Sequence, residues 1–362
     1  MSKILIMVNH SMTILNFRLE LVQKLLDGGH EVIISSPYDE RIEELKTLGC
    51  GYSSVELSRH GMNPVKELKL LNSYKKQIKE IKPDVVLTFT IKPNIYGAMA
   101  CEKYKVPCIA NITGLGTAIE NGGIAQFISV NLYKIAFKRI HRVFFQNKEN
   151  MQFFKDRKIV VENCVLLPGS GVNLSKFTPL EYPKNEKINL VFVGRIMKDK
   201  GVYELAQVAK ELPDVQFTIV GDTYEGTENP LLNIENVECV GHQKNVIPFL
   251  KKANAIVLPS YHEGMANVLL EASACARPVI ASNVHGCYET FDEGITGFGF
   301  EIKNALSLKE AILKFTSLSF EQMRDMGIKA REKMEKEFDR NIVIEEYCKL
   351  LKDLKNDKKI RN

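Results

Sequence analysis

The 362-residue sequence lacks several signatures that would have settled its class quickly. No stretch approaches the roughly 20 consecutive apolar residues that span a bilayer, which argues against a transmembrane helix. The eight cysteines, at 50, 101, 108, 164, 239, 275, 287 and 348, include no Cys-x-x-Cys pair. Zinc and dithiol-redox sites are therefore disfavoured, and the cysteines read as small core residues in a reducing compartment. No Asp-x-Asp pair occurs, so that form of metal grip is missing and no metal site is expected. No Gly-x-Gly-x-x-Gly follows an early strand, which disfavours a nicotinamide dehydrogenase. Short repeats and low-complexity tracts are also absent, which argues against a repeat architecture. The first apolar run, Ile4–Val8, stops at Asn9 and His10, as a strand does and a signal peptide does not. A cytoplasmic location is expected.

What is present is an ordinary globular composition, 45% hydrophobic and 26% charged, on a chain long enough for two domains. The net charge of +5 is unevenly spread. Residues 1–168 hold 23 Lys and Arg against 16 Asp and Glu, a balance of +7; the remainder holds 26 against 28, a balance of −2. Only the first half is built to face an anionic surface.

Apolar, β-branched runs alternate with amphipathic helical patterns. Strands are expected near Ile4–Val8, Glu31–Ser35, Val85–Thr90, Cys108–Ile112, Val143–Gln146 and Val165–Leu167, many of them continuously apolar like parallel strands buried on both faces. A helix is expected over Asn16–Leu26, stopped by Gly28-Gly29. The alternation pauses over Asn173–Asn189, where Pro179 and Pro183 suggest a linker. It resumes with strands at Asn189–Val193, Gln216–Val220, Glu238–Val240, Ala255–Leu258 and Pro278–Ala281, and a helix at Val202–Leu212. Ser319–Lys355 reads as helical. The expected fold is α/β, with two Rossmann-like domains over 1–168 and 169–340 and a helix at about 340–362 packing back on the first.

Two segments of the second half concentrate the chemistry. In Leu190–Gly201 a buried strand ends at Gly194, followed by Arg195 and Lys200 and then a helix. Two cations at a strand's carboxyl end suit a diphosphate, Arg as a fork and Lys as a point charge, although either could be a solvated loop residue. Ala255–Glu271 reads strand, loop, helix: Glu263 sits in the loop before Gly264, and Glu271 lies one turn into the helix starting near Asn267. The backbone amides of Met265, Ala266, Asn267 and Val268 then lie at a helix N-terminus, an anion-binding position.

Glu263 and Glu271, with seven residues between them, resemble the E-x7-E signature of retaining GT-B glycosyltransferases of family 4, and Gly194-Arg195 with Lys200-Gly201 resembles the family's upstream G-R-x4-K-G segment. The resemblance implies two Rossmann-like domains facing across a cleft, with the nucleotide sugar on the second. It implies that Arg195 and Lys200 neutralise the donor diphosphate, Glu271 takes the ribose hydroxyls and Glu263 meets the donor sugar near the reacting carbon. Met265–Val268 would bind sugar hydroxyls and phosphate, with the base near Val240, Gly241 and Gln243. Fixed cations at a diphosphate leaving group lower the barrier without a metal or cofactor.

The first half resembles the family less closely. The opening loop Asn9–Asn16, carrying Asn9, His10 and Asn16, lacks the Gly-Gly pair of many members. Lys92, Asn94, Thr113, Gly114 and Gly116 are further cleft candidates at strand ends. The pairing of x-K-P-N-x-x-G with a later G-L-G is similar to bacterial surface-polysaccharide and protein-glycosylation transferases, including N-acetylgalactosaminyltransferases acting on undecaprenyl-diphosphate-linked sugars. That similarity implies a UDP-linked donor, a lipid-diphosphate-linked saccharide acceptor and a place at the inner face of the cell membrane. Two basic stretches, Asn63–Pro83 and Gly123–Val143, would carry the N-terminal domain to an anionic leaflet, unless they are ordinary packed helices. No nucleic-acid motif accompanies the charge. A UDP-sugar epimerase of similar outline and a non-catalytic sugar-nucleotide binder are the alternatives.

Overall fold

The computed structural model describes residues 1–57, 63–116, 119, 122–160, 162–224 and 226–361. The chain divides into two compact units, Met1–Ser170 with Val343–Asn362, and Gly171–Ile342.

The first unit is built on seven strands: β1 (Lys3–Met7), β2 (Glu31–Ser36), β3 (Gly51–Ser54), β4 (Val85–Phe89), β5 (Cys108–Ile112), β6 (Arg142–Phe145) and β7 (Cys164–Leu166). They pair in the order β3-β2-β1-β4-β5-β6-β7, all parallel. The apolar run of β1 explains itself here. Leu5 and Met7 join one core with Leu70, Tyr74 and Ile78 of the helix Pro64–Ile81. Ile4, Ile6 and Val8 join a second core with Val343, Tyr347, Leu350 and Leu354 of the helix Arg340–Arg361. Helices thus cover both faces, and alternation of polar and apolar residues along the strand is not needed.

The second unit has six parallel strands: β8 (Asn189–Val193), β9 (Gln216–Val220), β10 (Val237–Cys239), β11 (Ala255–Leu258), β12 (Val279–Ser282) and β13 (Gly297–Phe300). Their order is β10-β9-β8-β11-β12-β13. The strand order reverses between β1 and β4 in the first sheet and between β8 and β11 in the second. At such switch points the connections leave in opposite directions and open a crevice beyond the strands' carboxyl ends.

Several elements differ from the sequence expectation. The helix expected over Asn16–Leu26 is two helices, Ser11–Phe17 and Leu19–Asp27, broken at Arg18, whose side chain is buried beneath the sheet with its guanidinium 5.2 Å from the Phe89 ring centroid. β3 (Gly-Tyr-Ser-Ser) and β13 (Gly-Phe-Gly-Phe) were hidden by glycine and serine, which rank low for strands in isolation. Ser319–Lys355 is interrupted at Phe338-Asp339, between the helices Phe320–Glu337 and Arg340–Arg361.

The stretch that reads as a linker is instead packed into the second unit. Phe177 and Tyr182 enter its core, and the Tyr182 hydroxyl donates to the Asn254 carbonyl at 2.8 Å. Arg277, fully buried, donates to the carbonyls of Leu180 (3.2 Å) and Glu181 (2.7 Å) in this stretch. It also donates to Leu250 (2.8 Å), Cys275 (3.3 Å) and Ala276 (3.1 Å), at the ends of the helices Ile247–Lys252 and Asn267–Ala274. Helix C-termini carry unsatisfied carbonyls and negative dipole ends, so one guanidinium serves two of them at once.

Candidate functional site

Arg195 and Lys200 follow β8, and Glu263 follows β11, so the three residues stand on either side of the second sheet's switch point. The segments that carry them are tied together. Tyr261 donates its N–H to the Asp199 carbonyl at 2.8 Å and its hydroxyl to Glu204 Oε1 at 2.7 Å. Lys200 sits in a short 3-10 turn, Lys198–Lys200, and Gly201 (φ +67°) then opens the helix Val202–Glu211. A Cβ on Gly201 would run into the Pro259 carbonyl, so only glycine lets the two loops approach. The outcome is a direct ion pair between the Lys200 ammonium and Glu263 Oε1, each side chain largely shielded from solvent. Arg195 is exposed, its guanidinium 5.2 Å from the Tyr224 ring centroid.

Glu263 is held from behind by residues that motif spacing does not reveal. Gly286 (φ +82°) presses against its backbone: a Cβ there would lie 2.6 Å from the Glu263 carbonyl oxygen. The Gly286 carbonyl accepts from Ala266 N–H at 2.7 Å, and the Gly286 N–H donates to Glu289 Oε2 at 2.6 Å. The other Glu289 oxygen lies 3.4 Å from His285 Nδ1. These contacts correct one expectation. Of the four amides at Met265–Val268, that of Ala266 is taken by Gly286 and that of Asn267 donates to the Met265 carbonyl at 3.0 Å. The turn therefore offers a ligand at most the N–H groups of Met265 and Val268.

Glu271 lies in the helix Asn267–Ala274, in the second turn from Asn267. Burial pushes its carboxyl up to about 7, against the opposing pull of Lys176 and Arg340. At the neighbouring strand ends, Gly194 donates to the Val220 carbonyl at 3.0 Å. Val240 donates to Ile219 at 3.0 Å, and Gly241 accepts from Gly221 at 2.9 Å. Gln243 closes the turn by donating Nε2 to the Val240 carbonyl at 2.8 Å.

In the first unit the expected positions divide into two groups. Asn9–Asn16 is a helix from Ser11 onward rather than a loop: His10 caps it by accepting Met12 N–H at Nδ1 (3.0 Å), and Asn16 projects to solvent. Asn94 is not open to a ligand. It is buried, accepts from the Thr88 hydroxyl at 2.8 Å and donates to the Asn111 carbonyl at 2.8 Å, joining β4 to β5. Tyr347 of the C-terminal helix donates to Asn111 Oδ1 in the same buried network. Lys92 is paired with Glu67 at 2.5 Å. Asn9, Thr113, Gly114 and Gly116 remain half-exposed at the carboxyl edge.

Against known families, residues 178–333 match the model described as "Glycosyl transferases group 1", and residues 3–147 match "Glycosyl transferase 4-like". The N,N'-diacetylbacillosaminyl-diphospho-undecaprenol alpha-1,3-N-acetylgalactosaminyltransferase of Campylobacter jejuni is 30% identical over 363 residues, covering 93% of this chain and 95% of that protein. The chain belongs to the group 1 glycosyl transferases. The UDP-Gal:alpha-D-GlcNAc-diphosphoundecaprenol alpha-1,3-galactosyltransferase of Escherichia coli is 30% identical over 70% of this chain and 71% of its own length. Among solved structures, the sucrose-phosphate synthase of Thermosynechococcus elongatus has a TM-score of 0.83 at 18% identity, over 99% of this chain and 100% of that one. Anabaena HepE, solved with UDP-glucose, has a TM-score of 0.81 at 16% identity, over 98% of this chain and 100% of that one. The fold is GT-B, and the chain is a transferase rather than an epimerase.

Proposed function

We propose that this glycosyltransferase moves a hexose or N-acetylhexosamine, with retention and without a metal, from a UDP-sugar to a lipid-diphosphate-linked saccharide in bacterial glycan or capsule assembly. The observation that carries the reading is the Lys200–Glu263 ion pair at the second sheet's switch point, with Arg195 on the loop after the same strand as Lys200, where the N-termini of the helices following β8 and β11 favour an anionic ligand. The names of the Campylobacter and E. coli relatives support the acceptor class, and the E. coli name supports UDP.

In this reading the sugar's bond from C1 to the diphosphate oxygen breaks while an acceptor hydroxyl attacks from the same face. The hydroxyl's proton passes to the departing phosphate oxygen, and the pair of electrons stays on the nucleoside diphosphate. Arg195 and Lys200 hold the charge that grows on that leaving group. Glu263, already bound to Lys200, positions the lysine and meets the donor sugar. Glu271 binds the ribose. A donor panel tests the reading, scored by thermal shift and then by transfer to a short-chain lipid-diphosphate saccharide. Stabilisation by UDP-sugars and transfer with retained anomeric configuration support it; no stabilisation by any nucleotide sugar at millimolar concentration sinks it.

The membrane contact is assigned to the helix Gly123–Ala136. Among the described residues no helix is long and apolar enough to cross a bilayer. This one instead leaves Ile124 (79%), Phe127 (69%), Ile128 (41%) and Ile135 (58%) exposed, while Val130 and Tyr133 enter the core. Exposed apolar residues at helical spacing beside Lys134, Lys138 and Arg139 suit an anionic bilayer surface.

A further inference from the structure

The first unit contains a cavity of about 710 Å³ at the carboxyl ends of β2 and β3, against the first half of the helix Pro64–Ile81. Tyr38, Lys66, Glu67, Lys69, Ser73 and Lys92 line it. Lys92 and Glu67 neutralise each other, whereas the exposed side chains of Lys66 and Lys69 form no ion pair among the described residues. The rim's other acid, Glu56, is itself exposed to water, which weakens its hold on them.

The helix bordering the cavity has three distinct faces. Leu70, Tyr74 and Ile78 are buried in the core, and Lys66, Lys69 and Ser73 face the cavity. Val65 (65%) and Leu68 (59%) stand exposed next to the lysines. Two unpaired cations inside a concave wall, with an apolar strip one residue away, suit an anion with a hydrocarbon attached. Tyr38, exposed at the opposite wall, offers a ring face of the kind sugars stack on.

We propose that this cavity seats the diphosphate of a lipid-linked acceptor, with Lys66 and Lys69 on the phosphate oxygens and the lipid leaving over Val65 and Leu68. The assignment rests on the lipid-diphosphate acceptor of the proposed function and locates it on the protein.

The test is amine-reactive footprinting of the full chain read by mass spectrometry, with UDP at saturation to occupy any donor site. Farnesyl diphosphate is expected to slow labelling of Lys66 and Lys69 by about tenfold, the effect of a charge-assisted contact. Lys76 and Lys79, exposed further along the same helix, serve as internal references and should not change. Farnesol should protect none of the four, and inorganic pyrophosphate should protect Lys66 and Lys69 only at higher concentration. Unchanged labelling of Lys66 and Lys69, or protection spread evenly over all four lysines, overturns the site. Protection by pyrophosphate as tight as by farnesyl diphosphate overturns the lipid assignment. Hydrolysis of UDP-sugars by the same preparation, measured in parallel, reports on the transferase reading independently.

Discussion

The ammonium of Lys200 donates to Oε1 of Glu263, 63 positions further along the chain, and joins the loop after β8 to the loop after β11. A diphosphate arriving at Lys200 must compete with that carboxylate or share the lysine with it. Removing either partner should therefore have different effects. Glu263→Gln is expected to leave UDP affinity unchanged or tighter while lowering transfer by about 100-fold, the scale of losing one preorganised electrostatic group. Lys200→Ala should lower both. Calorimetric UDP titration beside steady-state transfer separates the two, and a loss of UDP affinity common to both variants would contradict the arrangement.

Glu271 supplies a pH signature. Its folded pKa, raised to about 7, means the folded protein binds more protons than the unfolded chain between the ordinary carboxylate range and neutrality. Its contribution to stability should fall as pH rises through that window and level off above it. If the ionised form is what grips the ribose hydroxyls, UDP affinity should instead rise by about tenfold from pH 6 to pH 8. Both trends should vanish in Glu271→Gln, as measured by UDP titration and urea melts across pH.

Glu289 acts on the site through Gly286. Glu289→Ala removes the acceptor of the Gly286 N–H and should lower turnover by about tenfold, as expected when a supported group shifts slightly. Glu289→Gln keeps an acceptor oxygen and should restore most of the rate. Gly286→Ala, with a Cβ forced against the Glu263 carbonyl at positive φ, should be worse than either. Kinetics with KM and kcat resolved, alongside thermal melts, will show whether turnover falls further than stability.

Flotation with anionic liposomes tests the exposed helix face. Phe127→Asp and Ile124→Asp should abolish cofloatation without lowering the melting temperature, since neither residue is in the core. Binding by the unaltered chain should weaken as salt screens Lys134, Lys138 and Arg139. Retained flotation in both variants would place the contact elsewhere.

Arg277 should matter for stability alone. Arg277→Met leaves buried carbonyls from three segments without a donor, and a loss of about 3 kcal/mol is expected in urea unfolding. Donor affinity per folded molecule should not change.

The sheets were legible because β1, β4, β8 and β11 are short apolar runs between amphipathic helices, and the pattern of parallel strands buried on both faces is written in residue type alone. The placement of Glu263, Glu271, Arg195 and Lys200 in the fold was legible because each charge follows a recognisable strand or enters a helix at fixed spacing. The Gly286–Glu289 support was not. It reaches Glu263 from the loop after β12, through backbone groups that any sequence possesses. Asn94 shows the opposite limit: it lies in the helical turn Pro93–Gly97 just beyond β4, and only the structure reveals that its amide joins Thr88 to Asn111. Arg18 and Arg277 escaped notice because a buried arginine looks like a surface one until its carbonyl partners are seen.

The return of the helix Arg340–Arg361 to the first sheet also affects the order in which the protein is made. Ile4, Ile6 and Val8 are covered by side chains as distant as Leu354, so that face stays exposed while the second unit is being synthesised. A nascent chain ordinarily completes its N-terminal domain first. Here the second unit can close before the first is whole, and a nascent chain stalled before about residue 343 carries an open apolar sheet face for chaperones to recognise.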